Sequence, residues 1–206
     1  MKKGKLLYLF IATVMLGCLL TGCANSEEAH LPEVEETDIS VSESSDNENN
    51  VQFSFEDISN LEFWFGSGAG AWRTVLTVRD DGTFEGEYQD SDAGVIYMCG
   101  FTGTLTEPEK VNDYTYSVKI EHIELEKEPD TEEIKDGVKY IYSEPYGLDN
   151  AEELLFYMPG ALVEELPEEY RNWMMGYGEF TDTQLPFYGL YNVNAGEGFS
   201  SHEKTN

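Results

Sequence analysis

The chain has 206 residues, with 41 acidic side chains against 12 basic ones, a formal net charge of −29 and three cysteines. Such an excess of negative charge excludes nucleic acid and anionic lipid surfaces as partners, because both are held by clustered Lys and Arg that displace counterions. Cations, basic peptides and neutral small molecules or glycans remain.

The chain opens on Lys2, Lys3 and Lys5 and runs through an uncharged apolar stretch of 15 residues from Leu6 to Leu20. That stretch is shorter than the ~20 residues a spanning helix needs, and its basic start and small-residue end describe a secretory signal. Leu20-Thr21-Gly22-Cys23 resembles the lipobox of bacterial lipoproteins. The resemblance implies cleavage before Cys23 and a thioether-linked diacylglycerol on its thiol, which would hold the protein on the outer face of the cell membrane. Cys18 also follows a small residue, but apolar chain continues beyond it, so Cys23 is the expected lipidation site. Loss of residues 1–22 removes three basic and no acidic side chains, giving a net charge of −32 and leaving only Cys23 and Cys99. No intramolecular disulfide framework is then available.

Residues 23–50 form the expected tether. From Ala24 to Asn50 there are nine acids, no Lys or Arg and no aromatic residue, too little apolar surface to offset the entropy of ordering. A flexible segment of this length reaches about 30 Å, and repulsion between its carboxylates extends it. Residues 51–206 are long enough for one domain with a substantial core.

Within that domain the prevailing period is two. Trp72, Thr74, Leu76 and Val78 alternate with Arg73, Val75, Thr77 and Arg79, then Asp80-Asp81-Gly82 makes a turn, and Phe84, Gly86 and Tyr88 alternate with Glu85 and Glu87. This is the pattern of a half-buried hairpin. A second hairpin is predicted from Val95 to about Leu105, turning through 107–113 and returning with Tyr114, Tyr116, Val118 and Ile120 on one side. A change of parity near His122, to Ile123 and Leu125, predicts a β-bulge. An acidic loop over 126–137 leads to a strand from Val138 to Tyr142, and 151–158 reads equally as short helix or strand.

Pro167 to Gly176 carries the signals of a helix: Pro at the first turn, acids near the amino end and Gly past the close. Leu166, Tyr170, Trp173 and Met174 share one face, which is expected to plug or cover the sheet. A closing strand from Leu185 to Val193 is interrupted at Gly189. The fold class is mainly β, a single antiparallel barrel or sandwich with one or two short helices.

Gly70-Ala71-Trp72 at the start of a strong strand resembles the Gly-x-Trp of lipocalins, and Asn112-Asp113-Tyr114 is similar to the Thr-Asp-Tyr of that family, with its first residue different. The resemblance implies a closed barrel with Trp72 across its base. From the loop Phe65–Gly70 to Leu185–Tyr191 the domain also resembles cell-surface lipoproteins of anaerobic Gram-positive gut bacteria, a likeness that supports the address and supplies no activity.

Candidate chemistry is thin. Gly66 to Ala71 fits G-x-G-x-x-A, yet a dinucleotide site needs that loop to open a helix, and an alternating strand follows. Cys99 with His122 or His202 could form a thiol and its base, but Cys99 lies between Met98 and Phe101 in an apolar strand without positive neighbours. His30 falls in the tether, so a His-rich zinc site is not expected. Asp80-Asp81-Gly82 and Asp90-Ser91-Asp92 offer oxygens for calcium but are equally turn residues. Glu85, Glu87 and the many other acids single out no catalytic pair, and no Gly-x-Ser-x-Gly elbow occurs.

Tyrosines are the remaining hint: Tyr88, Tyr97, Tyr114, Tyr116, Tyr140, Tyr142, Tyr146, Tyr188 and Tyr191, with Trp64 and Trp72, could line a barrel mouth. The expected protein is a membrane-anchored extracytoplasmic lipoprotein whose domain binds a small molecule, glycan, cationic peptide or protein without catalysis. No cofactor, metal or catalytic residue is assigned. The alternatives are an extracytoplasmic hydrolase working through unidentified carboxylates and a structural spacer. One β-rich domain of this length lacks the two closing lobes of a transporter's solute-binding protein.

Overall fold

The computed structural model describes residues 52–175 and 183–204. The expected signal segment, Cys23, the expected tether over 23–50 and Gly176 at the expected helix end lie outside the described residues.

Strands dominate. In chain order they are β1 (Leu61–Gly66), β2 (Trp72–Val78), β3 (Thr83–Asp92), β4 (Val95–Leu105), β5 (Glu109–Asn112), β6 (Thr115–Val118), β7 (Ile120–Leu125), β8 (Glu132–Lys135), β9 (Val138–Tyr142), β10 (Leu154–Tyr157), β11 (Gly189–Asn192) and β12 (Glu197–Glu203), with one helix, α1 (Glu168–Met175), before β11. They form one sheet in the order β5-β6-β10-β11-β12-β1-β2-β3-β4-β9-β8. β1 lies in the middle, paired with β12 on one side and β2 on the other. The predicted first hairpin is β2–β3, with Gly82 at φ 78° in its turn and Asp81 Oδ1 accepting hydrogen bonds from the Thr83 backbone (2.9 Å) and hydroxyl (2.6 Å).

The second hairpin differs from its prediction. Tyr116 and Val118 do not return along β4; β6 instead pairs with β10. After Lys119, β7 takes the place beside β4, with a register shift opposite Thr104 and Leu105 where the bulge near His122 was expected. Lys119 makes the break: its amide and carbonyl both bond to Thr106, at 2.9 Å each, rather than to a neighbouring strand. β4 is long enough for its far side to be shared, by β9 in parallel over Val95–Met98 and by β7 antiparallel over Phe101–Leu105. The acidic loop is partly strand, since Glu132–Lys135 forms a hairpin with β9. Residues 154–157 resolve as strand, and the last predicted strand begins at Gly189 rather than Leu185.

The sheet order has two ends, β5 and β8, so the closed barrel implied by the lipocalin resemblance is not formed. Every residue of β5 is exposed, and Ile134 on β8 is 78% exposed. Short edges carrying Glu and Lys discourage further strand pairing.

One face of the curled sheet carries the main core: Phe63 and Phe65 of β1, Leu76 and Val78 of β2, Phe84, Phe101, Tyr116, Phe156 and Phe199. Each such side chain contributes roughly 1.5–3 kcal/mol by leaving water. The element that plugs this interior is the 3-10 turn Phe55–Ile58 with Phe53 before it, not α1. Phe53 meets Tyr116 and Phe156 at ring distances of 5.2 and 5.3 Å. Helix α1 covers the opposite face of β11 and β12 in a smaller core with Tyr157, Leu166, Leu185 and Tyr191. Tyr170 reaches the strands there because Gly189 and Gly198 present bare backbone; a Cβ on Gly198 would lie 2.7 Å from Cδ2 of its ring.

Candidate functional site: an acidic groove and a buried carboxyl

The alternation that buries Thr74, Leu76 and Val78 sends Arg73, Val75 and Thr77 to the other face, where β2, β3, β4 and β7 twist into an open groove of about 1220 Å³. Rows of cross-strand partners build it. Val75 faces Glu87 and Glu87 faces Gly100; Thr77 faces Glu85, then Thr102, then Glu124. Gly100 leaves the middle of the floor bare, and the carboxylate of Glu126 lies over it, so that a Cβ at Gly100 would be 2.8 Å from Glu126 Oε2. Five acids, Glu85, Glu87, Asp90, Glu124 and Glu126, line the groove against one base, Arg73. Arg73 is drawn aside, its guanidinium 4.5 Å from the ring centroid of Trp64. Glu85 is partly neutralised by Arg79 at 2.5 Å.

A second feature lies on the core face, at the end of the sheet where β12 begins. Glu197 shares a face with Phe199 and stands opposite Asn192 of β11. Asn192 Nδ2 donates to the carbonyls of Gly147 (3.1 Å) and Asp149 (3.2 Å), which holds the loop 146–149 against this corner. Thr74 Oγ1 fastens the same loop from β2 by donating to the Tyr146 carbonyl at 2.6 Å. Glu197 is only 8% exposed, and its Oε2 has no hydrogen-bond partner. Burial, and then the charge of Asp149, push its carboxyl up to about 7. Tyr146 feels its charge, and the Tyr146 ring packs 4.9 Å from Trp72 and 5.2 Å from Phe65, which in turn lies 5.0 Å from Trp72 and 4.7 Å from Trp173. Burial and the carboxylates of Glu197 and Asp149 raise the Tyr146 hydroxyl above its ordinary value.

The sequence candidates sort clearly. Cys99 is 2% exposed, with its thiol pushed up to about 12, first by burial and then by Glu144 and Glu126. Its sulfur faces the Gly100 carbonyl at 4.0 Å, and neither histidine bonds to it. His122 is exposed on β7, while His202 stacks on Trp64 at 4.3 Å and meets Ser200 Oγ at 3.0 Å. The glycine loop joins β1 to β2 as a strand connection, with Ser67 Oγ accepting from the Ala71 amide at 2.9 Å. Asn112-Asp113-Tyr114 is a turn between β5 and β6, closed by Asn112 Oδ1 on the Tyr114 amide at 2.9 Å. Asp90-Ser91-Asp92 ends β3, and among the described residues no group of three or more His, Cys, Asp or Glu is placed to hold a metal.

The tyrosines do not share one mouth. Tyr116, Tyr142 and Tyr191 are buried in separate packing, Tyr114 is exposed, and Tyr88 meets Tyr146 at 5.5 Å. The space between Leu76, Phe84, Leu105, Leu148, Leu154 and Leu190 has no room for a water molecule. Glu197 and Asp149 are absent from the sequence candidates. A signal for the first exists: between residues 183 and 202 of this highly acidic chain, Glu197 is the only charged side chain apart from His202.

Comparison with models of protein families, with curated proteins and with solved structures finds no match to this chain.

Proposed function

We propose that the protein is a lipid-anchored, extracytoplasmic binding protein without catalytic activity, whose groove on the outer face of β2, β3, β4 and β7 takes a basic segment of a peptide or protein. The observation that carries this reading is the groove itself: the outward side chains of Glu85, Glu87, Glu124 and Glu126 along one open concavity, with Asp90 at its end and Arg73 as the single base among its lining residues. Charge of one sign along a cleft draws oppositely charged partners and speeds their association. The interior gap between Leu76, Phe84 and Leu190 is too small to hold a ligand.

The test is titration of the full chain with an oligolysine peptide and with neutral oligosaccharides at several salt concentrations. Saturable peptide binding that weakens with salt, and at least ~10-fold weaker binding by the combined variant Glu87→Gln, Glu124→Gln and Glu126→Gln, is expected. Equal affinity of that variant, or binding of the saccharides alone, overturns the reading. The anchor is tested separately: Cys23→Ala should abolish lipid labelling and membrane retention, and retention with label would remove Cys23 from its role.

A second reading, an extracytoplasmic hydrolase, is favoured by Glu197 beside Asp149, one buried carboxyl near neutrality next to another acid. Such a pair suits general acid catalysis. Turnover of a glycan panel that Glu197→Gln abolishes would establish it in place of the first.

A further inference from the structure

Glu197 is the feature that the groove leaves unexplained. A carboxyl oxygen buried without a partner carries an uncompensated desolvation cost, and this one is held in place rather than tolerated at a loose end. Asn192 and Thr74 pin the loop beside it by three hydrogen bonds of 2.6–3.2 Å. Trp173, arriving from α1, is fixed by donation from its Nε1 to the Gly196 carbonyl at 2.8 Å, immediately before Glu197. Neither Glu197 nor Asp149 forms an ion pair among the described residues.

Two properties of the corner define what would fit. Oε2 of Glu197 lacks a donor, and the neighbouring acid, Asp149, makes a positive donor better than a neutral one. Trp72, Tyr146 and Trp173 add ring faces and edges, with Trp72 4.9 Å from Tyr146 and 6.3 Å from Trp173. Indole and phenol rings attract a cation through their quadrupoles, most strongly where water is thin. A neutral sugar would supply donors but leave the paired negative charge uncompensated; a quaternary ammonium would supply charge but no N–H for Oε2.

We propose that this corner is a binding site for a primary ammonium group, such as a lysine side chain or the end of a polyamine, held by Glu197 with Asp149 and the rings of Trp72, Tyr146 and Trp173. This site is distinct from the groove and does not rest on the groove's binding a peptide.

The test is titration of the full chain with n-butylammonium, tetramethylammonium and n-butanol, followed by tryptophan fluorescence and calorimetry. n-Butylammonium should bind saturably, tetramethylammonium more weakly and n-butanol least. Glu197→Gln should weaken n-butylammonium at least ~10-fold, whereas Glu132→Gln, the same charge change on β8, should not. Equal binding of n-butanol and n-butylammonium, no saturable binding of the amine, or equal losses in the two variants would overturn the proposal. The comparison among the three probes uses the unaltered protein, so it stands even if Glu197→Gln fails to fold. Oligolysine binding lost in the groove variant while n-butylammonium binding persists would separate this site from the groove.

Discussion

Glu197 stands across from Asn192 on the last rung of the β11–β12 ladder, and the amide that stabilises the adjoining loop gives no hydrogen bond to the acid. The consequence is an acid whose folded form holds its proton to about pH 7, against an ordinary value of 4.5. Between those limits the folded chain binds more protons than the unfolded one, so stability falls as pH rises. Glu197→Gln should remove this slope and leave the protein more stable than the wild type at pH 8. Denaturant unfolding at pH 5 and 8 checks it; parallel curves for the two proteins would place Glu197 in a wetter setting than described.

Glu133 has the opposite sign. It accepts from Lys127 (2.7 Å), Lys135 (2.9 Å) and the Tyr142 hydroxyl (3.1 Å), which lower its carboxyl to about 2. Stability from this cluster is present above the unfolded carboxyl value near 4.5 and is lost as pH falls toward 2. Glu133→Gln should therefore weaken the β8–β9 hairpin at pH 6 and make little difference at pH 2. Hydrogen exchange of the hairpin amides in the two proteins measures it.

Gly198 and Gly189 receive the Tyr170 ring, and a methyl on Gly198 would sit 2.7 Å from it. Gly198→Ala should cost about 1–3 kcal/mol through overpacking. A melting temperature equal to that of the wild type would mean that α1 does not lie on this face.

Cys99 should behave as packing. At 2% exposure, with its thiolate disfavoured by burial, it should resist iodoacetamide in the native protein and react on unfolding. Rapid native labelling would show that β4 opens readily.

The β2–β3 hairpin was readable because Trp72 to Val78 and Phe84 to Tyr88 alternate cleanly around a turn whose Asp and Gly have few other uses. The destination of β6 was not. Tyr116 and Val118 announce a buried face but cannot say whether the neighbour is β4 or β10, since partner choice depends on where Lys119 breaks the strand. The groove illustrates the same limit: Glu85 and Glu87 are visibly outward, yet their meeting with Glu124 and Glu126 depends on a β4–β7 pairing set by tertiary contacts. Glu197 could have been noticed as a lone charge in an uncharged stretch; its burial could not, because that is made by the loop 146–149 and by Trp173 of α1.

The pairing of β1 with β12 sets a condition on how the chain comes to be folded. Phe63 has its partner at Ser201, so a central seam of the sheet joins residues nearly a whole domain apart in sequence. Contacts of such wide separation form late, after loop-closure entropy has been overcome. A chain made amino end first would hold Phe63 and Phe65 without the β12 side of their core until the last strand arrived. Over that interval the acidic surface, by mutual repulsion, would be the main defence of neighbouring nascent chains against one another.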